Sequence, residues 1–347
     1  MPGQQNYVDD DTFRGIVMPY SAMVADMADA GYTEAPRGVW DVRNPAVDSR
    51  AMAELAQQAD FAGAWDKVPV DTALTHVGLL LTAGEDAMRT FASALVADRT
   101  PLYAYIPLGR SALECLGVAH WLGEPGIGTK ERVRRSLNER IASAWEQSRL
   151  PPSMNTEPGR QQRLLGAVEK GYEFTKSRKG KFKHFAPERP TMTAHVKRVL
   201  GNGDLGKVLY SFASAVAHGV LWGLTERVEV PTDAPGPVVK GALTHSSASV
   251  AMMASALVLA HKRAFGGFAD YMGWDVTEWS AAAARADTII KAFLGARREA
   301  RTAAEERAPE WRLSGPGGGL WLPEPSSAAP VGLPPLDRTT LSEDIGE

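Results

Sequence analysis

Two stretches of the sequence place ionisable and hydroxyl side chains at helical spacing inside apolar runs. In RSALECLGVAHWL, Arg110 and Glu114 are four residues apart and therefore lie on one face of a helix. In YSFASAVAHG, Ser214 precedes His218 by one turn and Tyr210 precedes it by two. A histidine with a carboxylate partner can act as a general base, and a nearby arginine can hold an anion. If the two helices face each other, these side chains form one polar cluster.

The same side chains also suit a purely structural role. Burying a guanidinium or a carboxylate is unfavourable unless each finds a partner, and Arg110 can pair with Glu114 along its own helix. A buried hydrogen-bond network of this kind can fix the register of packed helices. The sequence therefore leaves open whether the polar cluster is a catalytic site or a structural network.

Basic residues concentrate in one part of the chain. Residues 128–198 hold 17 lysines and arginines against 7 acidic residues, whereas the whole chain has a net charge of −3. The basic side chains lie in ERVRRSLNERI and in TKSRKGKFKHF, where aromatic residues interleave with cations, as in segments that contact a phosphate backbone. The predicted polyanion-binding residues are Lys176, Arg178, Lys179, Lys181, Lys183, Arg134 and Arg135. The alternative is a solvated basic face that acidic residues elsewhere balance.

Helical periodicity runs through most of the chain and predicts the elements that position these residues. Apolar residues recur at three- and four-residue spacing from 73 to 97, after the capping residues Asp71 and Thr72. Prolines and glycines mark the ends of several further helices. The other predicted helices cover 12–30, 48–64, 105–123, 129–149, 160–177, 191–200, 203–226, 246–273 and 279–308.

The predicted fold class is an all-α multi-helix bundle. A short irregular or hairpin excursion is expected at 227–243, where three prolines disfavour a central strand. We expect an N-terminal helical cap over 1–70, the bundle core over 71–311, and a disordered tail rich in Pro, Gly and Ser over 312–347. GNGDLG at 201–206 matches a dinucleotide-binding pattern, but it joins two predicted helices and is predicted to be a turn.

Composition excludes several kinds of site. Cys115 is the only cysteine, which excludes an internal disulfide and a cysteine-based zinc site. The histidines lack metal-ligand spacing, so no metal or cofactor is predicted. The first residues lack the basic flank and apolar stretch of a signal peptide, and no uninterrupted apolar run of roughly 18 residues occurs. We therefore expect a cytoplasmic protein without a membrane span.

The run RSALECLGVAHWLGEPGIGTKERVRRSLNE, followed later by YSFASAVAHG, resembles a group of uncharacterised actinobacterial all-helical proteins. Those proteins carry an Arg-x-x-x-Glu helix, a Trp-Leu end, an Arg-rich next helix and a later Ser-x-x-x-His-Gly helix. The group is similar, at greater distance, to HEPN-type and abortive-infection domains, in which an arginine and a histidine on one late helix cut RNA. The resemblance covers residues 75–225. His218 matches the HEPN-type histidine, whereas Ala213 stands where the family has arginine.

The resemblance implies a defence or stress-response protein, expected to be a homodimer, that acts on RNA or a nucleotide. Metal-independent RNA cleavage would use His218 as the base that activates an internal 2′-hydroxyl. Arg110 would hold the phosphate from another helix, and Glu114 would orient one of the two. The catalytic residues predicted are His218, Arg110, Glu114 and Ser214. The alternative hypothesis is a non-enzymatic binding or scaffold protein whose buried polar cluster is structural.

Overall fold

Helices account for nearly all of the regular structure, which confirms the predicted all-α class. The computed structural model describes residues 10–32, 45–98, 101–151, 153–154, 159–176, 183–225, 228–229, 242–243 and 247–307. The long helices are α1 (Asp10–Tyr32), α4 (Pro69–Leu95), α5 (Tyr105–Leu122), α6 (Gly128–Gln147), α9 (Asp204–Ala217), α11 (Ser247–Met272) and α12 (Thr277–Arg307). The short ones are α2 (Arg50–Leu55), α3 (Gln58–Phe61), α7 (Arg160–Leu165), α8 (Met192–Val199) and α10 (Leu221–Thr225).

Helix α5 lies at the centre of the bundle and packs against α4, α8, α9 and α11. Its residues Leu113 and Leu116 are fully buried. Gly117 marks the close approach of α8, because a Cβ there would lie 3.1 Å from the carbonyl carbon of His195. Only glycine allows two backbones to come this near. Helix α5 therefore carries Arg110 and Glu114 on a rigid element that touches most of the bundle.

Helix α1 packs into the same core as α4, α5 and α11. Its residues Phe13, Val17, Val24 and Met27 are each almost fully buried there. The described part of the predicted N-terminal cap is thus continuous with the bundle. The predicted tail, 312–347, lies outside the described residues.

A smaller hydrophobic cluster lies beneath residues 160–187. Leu137 and Ile141 of α6 pack there with Trp65, Tyr172 and Phe185. Helix α6 thus contributes an apolar stripe to this cluster, while its Arg132 and Arg135 donate to carbonyls at the end of α5. The second cluster fixes α6 between the end of α5 and the segment that follows α7.

The helix predicted over 203–226 is divided at Gly219. Helix α9 ends at Ala217, His218 caps it, and Gly219 adopts a left-handed conformation with φ of 65°. The amide of Val220 donates to the carbonyl of Ala215, and the amide of Gly219 donates to that of Val216. This is the Schellman arrangement, in which glycine ends a helix. The prediction was wrong here because the apolar period continues across the glycine.

Two other predicted helices are also wrong in part. The one predicted over 160–177 stops after a 3₁₀ turn at Gly166–Lys170, and the chain then forms an antiparallel hairpin of β1 (Phe174–Lys176) and β2 (Lys183–Phe185). The one predicted over 48–64 is two short helices, α2 and α3. The excursion expected at 227–243 contains β3 (Val228–Glu229) paired antiparallel with β4 (Ala242–Leu243). Among the described residues, no helix is long and apolar enough to cross a membrane.

Candidate functional site

Helices α5 and α9 bring Arg110, Glu114, Tyr210 and His218 together. Nε of Arg110 donates to Oε1 of Glu114 at 2.8 Å, and Nη1 of Arg110 lies 3.2 Å from Nε2 of His218. The Tyr210 hydroxyl donates to the same Glu114 oxygen at 3.0 Å. Nη2 of Arg110 reaches that hydroxyl at 3.4 Å. Arg110, Glu114 and His218, three of the four predicted catalytic residues, therefore meet across two helices. We call these three side chains, together with Tyr210, the Arg110 cluster.

The protonation states in the cluster follow from which groups can donate. A guanidinium only donates, so Nε2 of His218 must accept from Arg110, and the ring proton then lies on Nδ1. Partial burial lowers the pKa of Arg110, but the hydrogen bond and charge of Glu114, with Tyr210, outweigh it and raise this pKa overall. Burial, followed by the charge of Glu114, raises the pKa of Tyr210. The cluster thus holds a neutral phenol, a charged guanidinium and a histidine whose Nε2 lone pair accepts from Arg110.

His218 is exposed, so it is no member of a packed core. It stands at the end of α9, where its amide donates to the carbonyl of Ser214 at 3.0 Å. The Arg110 and Glu114 side chains are 18% and 27% exposed. Among the described contacts, the Ser214 hydroxyl makes none with the Arg110 cluster. The polar site therefore opens to solvent on the side of His218, and Ser214 takes part through its backbone.

The second predicted site, the basic segment around 176–183, is a hairpin. Lys176 pairs with Lys183 in the antiparallel register, and residues 177–182 lie outside the described part of the chain, as do both lysine side chains. The hairpin base is anchored by Phe185, which is buried and stacks on Phe174 at 5.0 Å between ring centroids. Asn138 of α6 accepts from the Phe185 amide and donates to its carbonyl, both at 2.8 Å. The backbone therefore pairs Lys176 with Lys183, whereas Arg178, Lys179 and Lys181 lie outside the described residues.

Arg134 and Arg135 differ from this group because both side chains are buried. Arg134 forms a bidentate pair with Glu131 and donates to the carbonyls of Phe185 and Pro187, which hold the hairpin base. Arg135 pairs with Glu131, at 2.7 Å, and with Glu124, also at 2.7 Å. A side chain with these internal partners cannot also bind a polyanion at the surface. We therefore correct the prediction for these two arginines and assign them a structural role.

Arg132 was not singled out in the sequence, yet it is the most deeply placed charge in the described structure. Its side chain is fully buried and pairs with Glu54 of α2 through Nε at 2.9 Å and Nη2 at 3.2 Å. It also donates to the carbonyls of Leu122 and Glu124 and lies over the Tyr271 ring. No local pattern reveals this, since Glu54 is 78 residues away in sequence.

A third polar group lies inside the bundle around His261. Its Nδ1 accepts from the Trp279 indole at 3.3 Å, so Nε2 carries the ring proton and donates to Oε1 of Glu85 at 3.0 Å. His261 and Glu85 are buried, and the group joins α4, α11 and α12.

Burial raises the pKa of the Cys115 thiol, and the charge of Glu114 raises it further, which disfavours a reactive thiolate. Within the described ranges, no group of three or more potential metal ligands occurs.

No protein-family model, curated protein or solved structure matches this chain.

Proposed function

We propose that this chain is a HEPN-like defence or stress-response protein that acts on RNA or a nucleotide through the Arg110 cluster. The observation that carries the proposal is the contact between Arg110 and His218, which joins a cation and a base from two helices at a solvent-open position. In the HEPN-type domains that this chain resembles, the arginine and the histidine lie on the same helix. Here Arg110 of α5 stands beside His218 in place of an arginine at position 213, which is Ala213.

The roles of the side chains follow from the geometry. Nε2 of His218 has a free electron pair and would take the proton of a 2′-hydroxyl when substrate displaces the contact with Arg110. The 2′-oxygen would then form a bond to phosphorus while the bond from phosphorus to the 5′-oxygen breaks, and water would protonate the leaving oxygen. Arg110 would stabilise the negative charge on the phosphate oxygens in the transition state of this step. Glu114 and Tyr210 are positioning residues, because both bind Arg110 rather than His218.

The basic hairpin would hold the polyanion. Its cations are neighbours in the chain, and Asn138 and Arg134 tie the base of the hairpin to α6. The hairpin is anchored near the C-terminal end of α5, where Arg132 binds the Leu122 carbonyl, whereas Arg110 lies near the other end. At 1.5 Å per residue, the two are separated by roughly 18 Å along α5. A strand several nucleotides long, rather than a mononucleotide, would be needed to reach both.

We also propose that two copies associate through the face beside His218. Leu205 and Val208 of α9, together with Val220, Leu221 and Trp222, are exposed large apolar side chains. Val220, Leu221 and Trp222 follow His218 closely in the chain, and exposed apolar side chains grouped in this way are typical of a surface that a partner covers. RNA as the substrate would place the protein in the cytoplasm.

The competing proposal is a non-enzymatic binding or scaffold protein. One observation favours it: the guanidinium of Arg110 already has Glu114, Tyr210 and His218 as partners, which a phosphate would have to displace. In this case the Arg110 cluster would tie α5 to α9. The two proposals differ in what His218 contributes, and this difference can be measured.

The deciding experiment is binding and cleavage of a short single-stranded RNA by the purified protein in a chelating buffer at low and moderate salt. We expect cleavage products in wild type, loss of cleavage in His218→Ala, and a nearly unchanged melting temperature, because His218 is exposed. Arg149→Gln removes an arginine just beyond the end of α6 from an exposed ion pair with Glu146 and should leave cleavage intact.

The remaining outcomes separate the alternatives. Salt-sensitive binding without cleavage would support a non-enzymatic basic binding module, and the affinity should then fall in Lys179→Gln/Lys181→Gln with a shallower dependence on salt. Absence of binding at low salt would refute the nucleic-acid proposal in both forms. Cleavage that survives in His218→Ala would refute the assigned base.

A further inference from the structure

An open cleft lies at the end of α5 opposite to Arg110. It has a volume of about 580 Å³ and is formed by the C-terminal end of α5, the turn between α8 and α9, and the middle of α11. His120 and Glu124 line it on one side, and Arg198, Asn202 and Arg263 line it on the others. Cavities of this size are typical of small-molecule sites. The Arg110 cluster lies about 15 Å away along α5, from residue 110 to residue 120.

The cleft carries an excess of positive charge. Glu124 is its one acidic lining residue, and Arg135 already occupies that carboxylate at 2.7 Å from outside the lining. Arg198 reaches Glu124 only at 3.6 Å and remains 39% exposed. Arg263 uses Nη1 to cap the carbonyl of Val199 at the end of α8. Two guanidinium groups from different helices therefore face the cleft, and among the described residues neither forms a hydrogen bond to a carboxylate.

The charged residues at the edge of the cleft change its excess of positive charge little. Arg50 lies near the cleft, since it donates to the Pro125 carbonyl at 3.3 Å, and its charge is offset by Asp270 at 3.8 Å. Both of these side chains are well exposed, so their pair is weak in water. The net charge at the cleft is therefore set by Arg198 and Arg263.

The turn from α8 to α9 shapes the floor of the cleft. Gly201 and Asn202 both adopt positive φ, at 95° and 64°. A Cβ at position 201 would lie 2.8 Å from Nη1 of Arg263, so glycine is needed for the guanidinium to lie against this turn. The segment GNGDLG, which matches a dinucleotide-binding pattern, thus forms the helix–helix turn that its position predicted, and the turn positions Arg263.

His120 presents an acceptor to the same space. Its Nδ1 is 3.3 Å from the carbonyl of Arg263, so Nδ1 must donate and Nε2 keeps its electron pair. Burial lowers the pKa of His120, and it outweighs the hydrogen bond to the Arg263 carbonyl and the charge of Glu124, which both raise this pKa. The charges of Arg198 and Arg263 add to the lowering. The cleft therefore offers two cations, the Asn202 amide and one neutral imidazole acceptor.

We propose that this cleft binds a small ligand that carries a phosphate group, with Arg198 and Arg263 as its principal contacts. A tetrahedral oxyanion can accept from donors that arrive from several directions, whereas a planar carboxylate is satisfied by one bidentate arginine. The donors here come from α8, the α8–α9 turn and α11, which suits the tetrahedral group. His120 would accept a hydroxyl or amine proton from the remainder of the ligand. This inference does not depend on the function proposed for the Arg110 cluster.

The test is calorimetric titration of the purified full-length protein with inorganic phosphate, pyrophosphate and acetate at constant ionic strength and pH 7. We expect saturable binding of pyrophosphate and phosphate, and at least tenfold weaker binding in Arg198→Gln, since a lost charged hydrogen bond is worth about this factor. Arg198 is the variant of choice, because its described ion pair with Glu124 is long, at 3.6 Å, and its side chain is 39% exposed. Removing this guanidinium therefore leaves the core intact. Arg285→Gln is the matched control, because Arg285 is an exposed helical arginine paired with Asp26 at 3.4 Å away from the cleft.

The other outcomes each decide the proposal. Absence of saturable phosphate or pyrophosphate binding in wild type would overturn it. Equal weakening in Arg198→Gln and Arg285→Gln would mean general charge screening and would also overturn it, as would acetate binding as tightly as phosphate. A loss of phosphate affinity in Arg110→Gln as large as that in Arg198→Gln would place the anion at the Arg110 cluster and would also overturn the proposal. Arg263→Gln should also bind phosphate and pyrophosphate more weakly. Because Arg263 also caps the Val199 carbonyl at the end of α8, the melting temperature of this variant measures that separate loss.

Discussion

At the scale of single residues, ion pairs decide where most of the basic side chains lie. Arg132, Arg134 and Arg135 are all buried, and each has at least one carboxylate within 3 Å. A guanidinium can be buried in this way because its donors are shared among carboxylates and backbone carbonyls. His218 is the opposite case, since it is exposed and its ring contacts a cation rather than a carboxylate. The burial of the arginines and the exposure of His218 therefore indicate structural roles for the former and a site role for the latter.

The buried pair of Arg132 and Glu54 should dominate the stability of α6. We expect Arg132→Ala to lower the free energy of unfolding by about 3–5 kcal/mol, because it leaves the carboxylate of Glu54 buried without its partner. Urea denaturation at pH 7 measures this. The double variant Arg132→Met/Glu54→Met should recover most of the loss, since it removes both charges together.

Arg149→Ala is the matched control, at an arginine just beyond the end of the same helix. Arg149 is 62% exposed and pairs with Glu146 at 3.2 Å, so its removal should change stability by less than about 0.5 kcal/mol. A loss of similar size in Arg132→Ala and Arg149→Ala would contradict the structural role assigned to Arg132.

At the scale of elements, the end of α9 decides where the candidate base lies. If the helix continued past residue 217, the ring of His218 would follow the helical surface instead of standing at its end. The left-handed Gly219 stops the helix and lets Val220 turn back to the carbonyl of Ala215. The Arg110 cluster therefore depends on a helix end as much as on two helix faces.

Gly219→Ala should strain this helix end. An L-residue in the left-handed region is disfavoured by about 1–2 kcal/mol, so we expect a loss of this size in the free energy of unfolding, measured with urea. RNA cleavage or binding should fall further than stability does, because the change moves His218 relative to Arg110.

Gly15→Ala provides the comparison for this variant. Gly15 lies inside α1 with nothing within 4 Å of an added Cβ, so alanine should stabilise the helix by about 0.5–1 kcal/mol. Equal effects of the two substitutions would show that the conformation at Gly219 is not needed.

At the scale of the whole molecule, the uneven charge of the chain is largely balanced inside the fold. The basic region 128–198 meets acids from α2, from the segment before α4, and from α6 itself, as in the pair of Arg140 with Asp66 at 2.6 Å. In the described structure, two basic features of this region remain: the paired strands β1 and β2, in which Lys176 faces Lys183 across the register, and the cleft at Arg198 and Arg263. Both lie toward the C-terminal end of α5, away from Arg110.

Stability should fall on acidification because of the buried His195 and the partly buried His76. Burial lowers the pKa of His195 to about 4, with Arg189 and Arg198 adding to this, and burial and Arg140 lower that of His76 to about 4. Unfolded histidine titrates near 6.5, so between pH 6.5 and pH 4 the unfolded chain binds more protons and the free energy of unfolding decreases as the pH falls. Each histidine contributes a loss of up to about 3 kcal/mol across this range.

Urea denaturation at several pH values between 7.5 and 4 measures this slope. His195→Leu should make it shallower, since leucine cannot take up a proton. Identical slopes in wild type and His195→Leu would contradict the role of His195. His76 would account for the dependence that remains.

Self-association through the exposed apolar face beside His218 should depend on Leu221 and Trp222. Sedimentation velocity of wild type should show a dimer, and Leu221→Lys/Trp222→Lys should shift it to monomer, because lysine cannot be buried there without a partner. Leu79→Lys is the control, since Leu79 is an equally exposed leucine on α4. A monomeric wild type, or a dimer that persists in the double variant, would refute this interface.

Local pattern was enough to predict the helices and the all-α class. The three- and four-residue period marked α4, α5, α6, α8, α11 and α12 to within a few residues, because each buries one long apolar face. It failed where a local conformation overrides the period. Gly219 ends α9 within an apolar run, and the hairpin of β1 and β2 is anchored by Phe185 in the second cluster rather than by its own propensity.

The sequence by itself determined that Arg110 and Glu114 share a helix face and that Tyr210, Ser214 and His218 share another, since helical geometry sets these spacings. Only the tertiary structure decided that the two faces meet, that Tyr210 joins them and Ser214 does not, and that His218 is exposed. It also decided that Arg134 and Arg135 are buried and that Arg198 and Arg263 share a cleft. These contacts join residues far apart in the chain, and the burial of a charge depends on partners that local sequence does not contain.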